Sequence, residues 1–122
     1  SRIRATIRPS IREKGAKVYE IEGPLFFSST NSFSEIFTPS TDPDIVIIDF
    51  ANSKVIDQSA LKAIEDIADR YNSIGKKIKL RYLTKDCHRL LRRTGQLIVD
   101  SDDDPDYGLA VDYDVKIGIF GK

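Results

Sequence analysis

Ile3, Ala5 and Ile7 alternate with Arg4, Thr6 and Arg8 at the start of the chain. That period of two predicts a half-buried strand over 3–9, ended by Pro9. A second alternating run, KVYEIEG at 17–23, stops at Gly23-Pro24, and the REKGA turn between the runs predicts a hairpin. The period then changes. Ser32 precedes Glu35 by three residues, the spacing of a capping box, and Phe33, Ile36 and Phe37 form a short apolar stripe. Together they predict a helix over 30–38, ended by Pro39. PSTDPD at 39–44 reads as loop.

IVIIDF at 45–50 is a continuous apolar run rich in β-branched residues, the pattern of a strand covered on both faces. It is expected to stop at Asp49-Phe50 and give way to a short polar turn. From Ala60 to Ile74, the positions Ala60, Leu61, Ile64, Ile67, Ala68, Tyr71 and Ile74 keep helical spacing, and Gly75 supplies the stop. KKIKLRYL at 76–83 alternates as a strand. Thr84 then caps a helix over 85–94, with Cys87, Leu90, Leu91 and Thr94 as its apolar stripe and Gly95 as its end. QLIVD reads as a short strand. Beyond SDDDPD, LAVDYDVKIGIF is either a strand or a strap over the core.

The resulting order is strand, strand, helix, strand, helix, strand, helix and a tail. Strands alternating with helices predict an α/β layer fold with a mixed, partly parallel sheet. At 122 residues the chain is read as one domain, 1–122, large enough for one real core.

Nineteen basic residues balance nineteen acidic ones, so net charge points to no nucleic-acid partner. The charges come in blocks, however. Arg2, Arg4, Arg8, Arg12, Lys14 and Lys17 face Glu13 alone, residues 76–93 are strongly basic, and residues 100–114 hold seven aspartates and no base. Such blocks can steer partners, fold against each other, or be no more than solvated faces and an acidic loop. The single cysteine, Cys87, excludes an internal disulfide and fits a reducing compartment. No apolar run approaches the length of a membrane-spanning helix, and no signal peptide is evident. The sequence holds no methionine, which fits either a removed initiator or a piece of a longer chain.

Candidate chemistry is sparse. His88 adjoins Cys87 on one helix, where neighbours point about 100° apart and cannot form a nucleophile-base pair. No ligand spacing indicates a metal, no glycine-rich phosphate loop is present, and no cofactor is expected. The exception is the segment VIIDFANSKVIDQSALKAIEDI at 46–67. It places Asp57, Gln58 and Ser59 at the mouth of a helix that follows a strand, with Asp49 at that strand's expected end. Four readings are open: active site, phosphorylation switch, anion cradle or helix cap. Unpaired helix N–H groups and the carboxyl ends of strands both lie there.

This segment resembles the signature of STAS domains, the sulfate-transporter and anti-sigma-factor-antagonist modules. Asp49 matches their strand-end aspartate, Asp57 the loop aspartate, Ser59 the second hydroxyl and Leu61 the leucine. VYEIEGPLFFSSTNSF and GKKIKLRYLTKDCHRLLRRTG are similar to blocks of the cytoplasmic C-terminal STAS domain of bacterial SulP anion permeases, and the likeness is strongest over 16–97. Gln58 stands where the antagonists have serine and Ala60 where they have glycine, so only Ser59 keeps a hydroxyl.

The resemblance implies a STAS-like mixed sheet of about 4–5 strands packed against about 3–5 helices mainly on one side. It implies a non-catalytic, regulatory domain of a sulfate or other anion transporter, on the cytoplasmic face of the bacterial inner membrane. The alternative is a free-standing antagonist-like phospho-switch. Asp57 and Ser59 are expected to cap the helix, with Ser59 as the phosphoacceptor, if any. Lys85, Arg89, Arg92 and Arg93 fall on one face of the helix over 85–94 and form a candidate interaction stripe. The expected partners are the transmembrane domain of the parent permease, another cytoplasmic protein or an anionic lipid surface.

Overall fold

The computed structural model describes residues 2–83 in full and the backbone of 97–99 and 112–117. Strands β1 (Arg4–Pro9) and β2 (Lys17–Leu25) form the expected hairpin, pairing antiparallel from Arg4 opposite Glu22 to Pro9 opposite Lys17. Helix α1 (Thr30–Ile36) leads to β3 (Ile45–Val55), which lies parallel to β2. Helix α2 (Gln58–Asn72) then leads to β4 (Lys77–Arg81), parallel to β3. Two further strands, β5 (Leu97–Val99) and β6 (Asp112–Ile117), pair antiparallel, and β6 also pairs with β4. The sheet order is β1-β2-β3-β4-β6-β5, a mixed sheet. The tail thus contains strand, not a strap alone.

Both helices pack on one face of the sheet. Tyr19, Ile21, Val46, Ile48, Phe50, Ile78 and Leu80 point toward them and join Phe33, Phe37, Leu61, Ile64, Ile67, Ala68 and Tyr71 in one buried core. Strand alternation sends the intervening side chains to the other face. There Val18 and Ile47 are buried with Ala16, under the turn that joins β1 to β2. The rest of that face is charged and internally paired: Arg4 with Glu22 at 2.9 Å, Arg8 with Glu20 at 3.0 Å and Lys79 with Glu13 at 2.8 Å. Much of the basic first block is therefore neutralised within the fold.

Four sequence expectations need correction. Strand β3 does not stop at Asp49-Phe50 but runs to Val55. Between Glu20–Glu22 of β2 and Asp49–Asn52 of β3, the latter carries one extra residue, a bulge. The Asp49 carboxylate accepts the Ala51 N–H at 2.8 Å within that bulge, and Val55 returns to the helix side of the sheet. Ser32 is not the cap of α1. The helix begins after Ser29, whose hydroxyl donates to the Pro24 carbonyl at 2.9 Å and accepts the Phe26 N–H at 3.1 Å. Ile74 is half exposed because α2 ends at Asn72 and the chain turns at Gly75, φ +79°. Strand β4 ends at Arg81, before Tyr82, whose positive φ of 60° breaks the extended run. The helix read over 85–94 lies outside the described residues.

Candidate functional site at the helix mouth

Helix α2 starts where the sequence places it. Asp57 is its N-cap, in extended conformation, and one carboxylate oxygen accepts the Ala60 N–H at 3.0 Å. The other oxygen accepts the Phe27 N–H at 3.1 Å. A single side chain thus clamps the segment leaving β2 onto the start of α2. Ile56 N–H donates to the Leu25 carbonyl at 3.0 Å and extends the β2–β3 pairing into the same edge.

Ser59 does not share the capping role. Both Gln58 and Ser59 are exposed, and neither side chain has a hydrogen-bond partner among the described residues. With Thr30, Asn31, Ser34 and Lys62 they line a polar groove of about 430 Å³ between the two helices. Lys62 is engaged with Asp66 at 2.9 Å.

Asp49 is not part of this site. It shares the strand face of Ile47, away from the helices, and lines a separate cavity with Arg8, Arg12, Glu20, Arg81 and Tyr82. Burial pushes its carboxyl above the usual range, while the Ala51 N–H and the Arg81 guanidinium 3.8 Å away pull the other way. Asp49 lies six residues before the end of β3, and Asp57 two residues beyond it. Lys85, Arg89, Arg92 and Arg93 lie outside the described residues. Among the described residues no cluster of His, Cys, Asp or Glu is arranged to hold a metal ion.

The opposite end of the sheet holds a site that the sequence pattern did not reveal. Asp42, in the loop before β3, is buried and accepts hydrogen bonds from Tyr71, from Lys17 Nζ at 2.5 Å, from Tyr19 at 2.5 Å and from Thr38 at 3.2 Å. Burial alone raises a carboxyl, but the hydrogen bonds from Lys17, Tyr19 and Tyr71 prevail and hold Asp42 below the usual range. Lys76 Nζ completes the cluster by donating to the Asp42 carbonyl at 2.5 Å. The network welds the start of β2, the loop before β3 and the end of α2. Its only sequence signal is two tyrosines on apolar faces, each needing a partner for its hydroxyl.

Residues 2–99 match the STAS domain family model. The chain belongs to the STAS domain family. In solved structures this STAS domain is similar to an antisigma-factor antagonist STAS domain from Rhodobacter sphaeroides, with TM-score 0.58 and 22% identity over 66% of this chain and 86% of that one. It is also similar to murine Solute Carrier 26 family member A9 (Slc26a9), an anion transporter in the inward-facing state. There the TM-score is 0.56 and the identity 21%, over 65% of this chain and 14% of that one. A sulfate transporter family protein from Wolinella succinogenes gives TM-score 0.54 and 23% identity, over 66% of this chain and 67% of that one. These likenesses establish the fold. Among curated proteins the chain is 26% identical over 77 residues to the Bacillus subtilis (strain 168) protein named "Putative sulfate transporter YbaR", and that match spans 16% of the relative's length. STAS domains are generally non-catalytic. No helix of the described residues is long and apolar enough to cross a membrane.

Proposed function

We propose that this STAS domain is the regulatory, interaction-mediating part of a SulP-type transporter of sulfate or another anion, held at the cytoplasmic face of the bacterial inner membrane and without catalysis of its own. The observation that carries this reading is the Asp57 clamp. It joins the GPLFF block, which resembles the permease branch, to the helix-mouth motif of STAS domains, so the two stretches form one surface. Asp57 is committed to structure there, and Gln58 offers no hydroxyl, so the loop is built first as a brace. The transporter relative in Bacillus subtilis supports the same reading.

A second reading, a free-standing antagonist-like phospho-switch, is favoured by one feature: Ser59 is exposed at the helix start and its hydroxyl has no hydrogen-bond partner among the described residues. The reading frame that encodes the chain separates the two. A run of membrane-spanning segments upstream of Ser1 supports the transporter, and a start codon immediately before it supports the switch. In a full-length transporter, unchanged anion uptake after removal of the domain refutes a regulatory role.

A further inference from the structure

Two large apolar side chains stand open at one place on this STAS domain, Phe27 at 69% exposure and Ile56 at 55%. Scattered exposed apolar residues need no explanation, but these two are neighbours. Leu25 pairs with Val55, and the two chains leave the sheet side by side. The Phe27 backbone is fixed by Asp57, and its ring meets the edge of the Phe26 ring at 5.6 Å. The pair is therefore held in place before any partner arrives, which lowers the ordering cost of binding.

The position of the first strand bears on what could cover it. Arg4 pairs with Glu22, and the Arg2 carbonyl lies 3.0 Å from where a side chain on Gly23 would begin. Any polypeptide joined ahead of Arg2 thus reaches the domain at the edge where Phe27 and Ile56 are exposed. We infer that this edge docks against the membrane-embedded part of the parent transporter, with Phe27 and Ile56 as the apolar anchors. The inference rests on the transporter reading above.

The test uses the full parent protein in its native membrane. Photo-crosslinkers placed at Phe27 and Ile56 are compared with one at Ile74, which is also exposed but lies past the far end of α2. Crosslinks from 27 and 56 should enter the membrane domain, and those from 74 should not. In parallel, a protease site is engineered ahead of Ser1. After cleavage the unaltered domain should stay on the membrane, and Phe27→Asp with Ile56→Asp should weaken retention about tenfold, as for loss of a central anchor. Far-ultraviolet circular dichroism of the released variant, matching that of the unaltered domain, excludes unfolding as the cause. Crosslinks only to lipid, to a second copy of this domain or to a soluble protein overturn the inference, as does immediate release of the unaltered domain. If the parent has no membrane-spanning segments, the transporter reading itself fails. If it has them and the crosslinks go elsewhere, only the docking surface does.

Discussion

Substitution of Asp57 separates the two bonds made by one carboxylate. Asp57→Ala removes the acceptor for the Ala60 N–H and the acceptor for the Phe27 N–H together. Loss of an N-cap costs about 1 kcal/mol. Loss of a hydrogen bond at an exposed site adds about 0.5–1 kcal/mol, so the variant should lose about 1.5–2 kcal/mol in all. Asp57→Asn is the informative comparison. Asparagine caps a helix as well as aspartate does, so its oxygen can keep the Ala60 bond. Its amide then turns an N–H toward Phe27 in place of an oxygen, and only the second bond is lost, about 0.5–1 kcal/mol.

Equilibrium urea melts followed by circular dichroism read both values. With a slope of about 2 kcal/mol/M, the alanine variant should melt at a urea concentration lower by about 1 M and the asparagine variant by about half that. Amide exchange at Phe27 should quicken in both variants, and at Ala60 in the alanine variant only. A parental midpoint for Asp57→Asn beside a lowered one for Asp57→Ala would refute the clamp and leave a plain cap. An unchanged midpoint for Asp57→Ala would refute both.

Asp42→Ala should be more damaging, about 3 kcal/mol, because it strands a lysine and two tyrosine hydroxyls that are largely buried; thermal melts read the loss. Asp42 is held below the ordinary carboxylate range in the fold, so its contribution is complete above about pH 4 and disappears as the pH falls through the lower folded value. Acid melts of the unaltered domain minus Asp42→Asn should show that difference closing, and a constant difference down to the lowest pH contradicts it. Gly23→Ala should cost more than Gly75→Ala in the same melts. Both residues have positive φ, but a Cβ on Gly23 meets the Arg2 carbonyl at 3.0 Å while one on Gly75 meets nothing. Ser59→Asp should leave stability within about 1 kcal/mol, since the helix-terminus attraction and repulsion from Asp57 are each of that order. A larger loss would mean that the hydroxyl has a structural role.

Wherever one period held over a whole element, the sequence was enough. Strands β1 and β2, helix α2 and most of β4 follow from alternation or helical spacing. Strand β3 shows where that reading ends. Its apolar run stops at Phe50, yet the pairing continues through Asn52, Ser53 and Lys54, because β2 keeps supplying hydrogen-bond partners as far as Leu25. A backbone ladder needs no apolar side chain, so the extension left no hydrophobic trace. The error carried into the site. With β3 ended at Asp49, that residue belonged beside Asp57, whereas the strand runs six residues further and alternation points Asp49 away from the helices. The Ser32–Glu35 spacing misled in a similar way, because capping depends on where the chain enters the helix, and Ser29 already ties that entry to Pro24 and Phe26. Asp42 was hidden because its partners come from positions 17, 19, 38 and 71, a meeting that no local pattern encodes.

The three polar regions of the domain differ in what they leave for a partner. At Asp42 the carboxylate oxygens are taken up by the protein's own donors. On the charged face, Arg4, Arg8 and Lys79 have their carboxylates close at hand, and an external charge would have to compete with ligands already in place. The helix-mouth edge alone combines free polar groups, on Gln58 and Ser59, with adjacent apolar side chains on a fixed backbone. Desolvating Phe27 and Ile56 contributes favourably to binding, and no ion pair is broken in doing so. The same clamp links the two halves of that edge. A phosphate on Ser59 would stand two residues from the aspartate that fixes Phe27, and the two negative charges would repel.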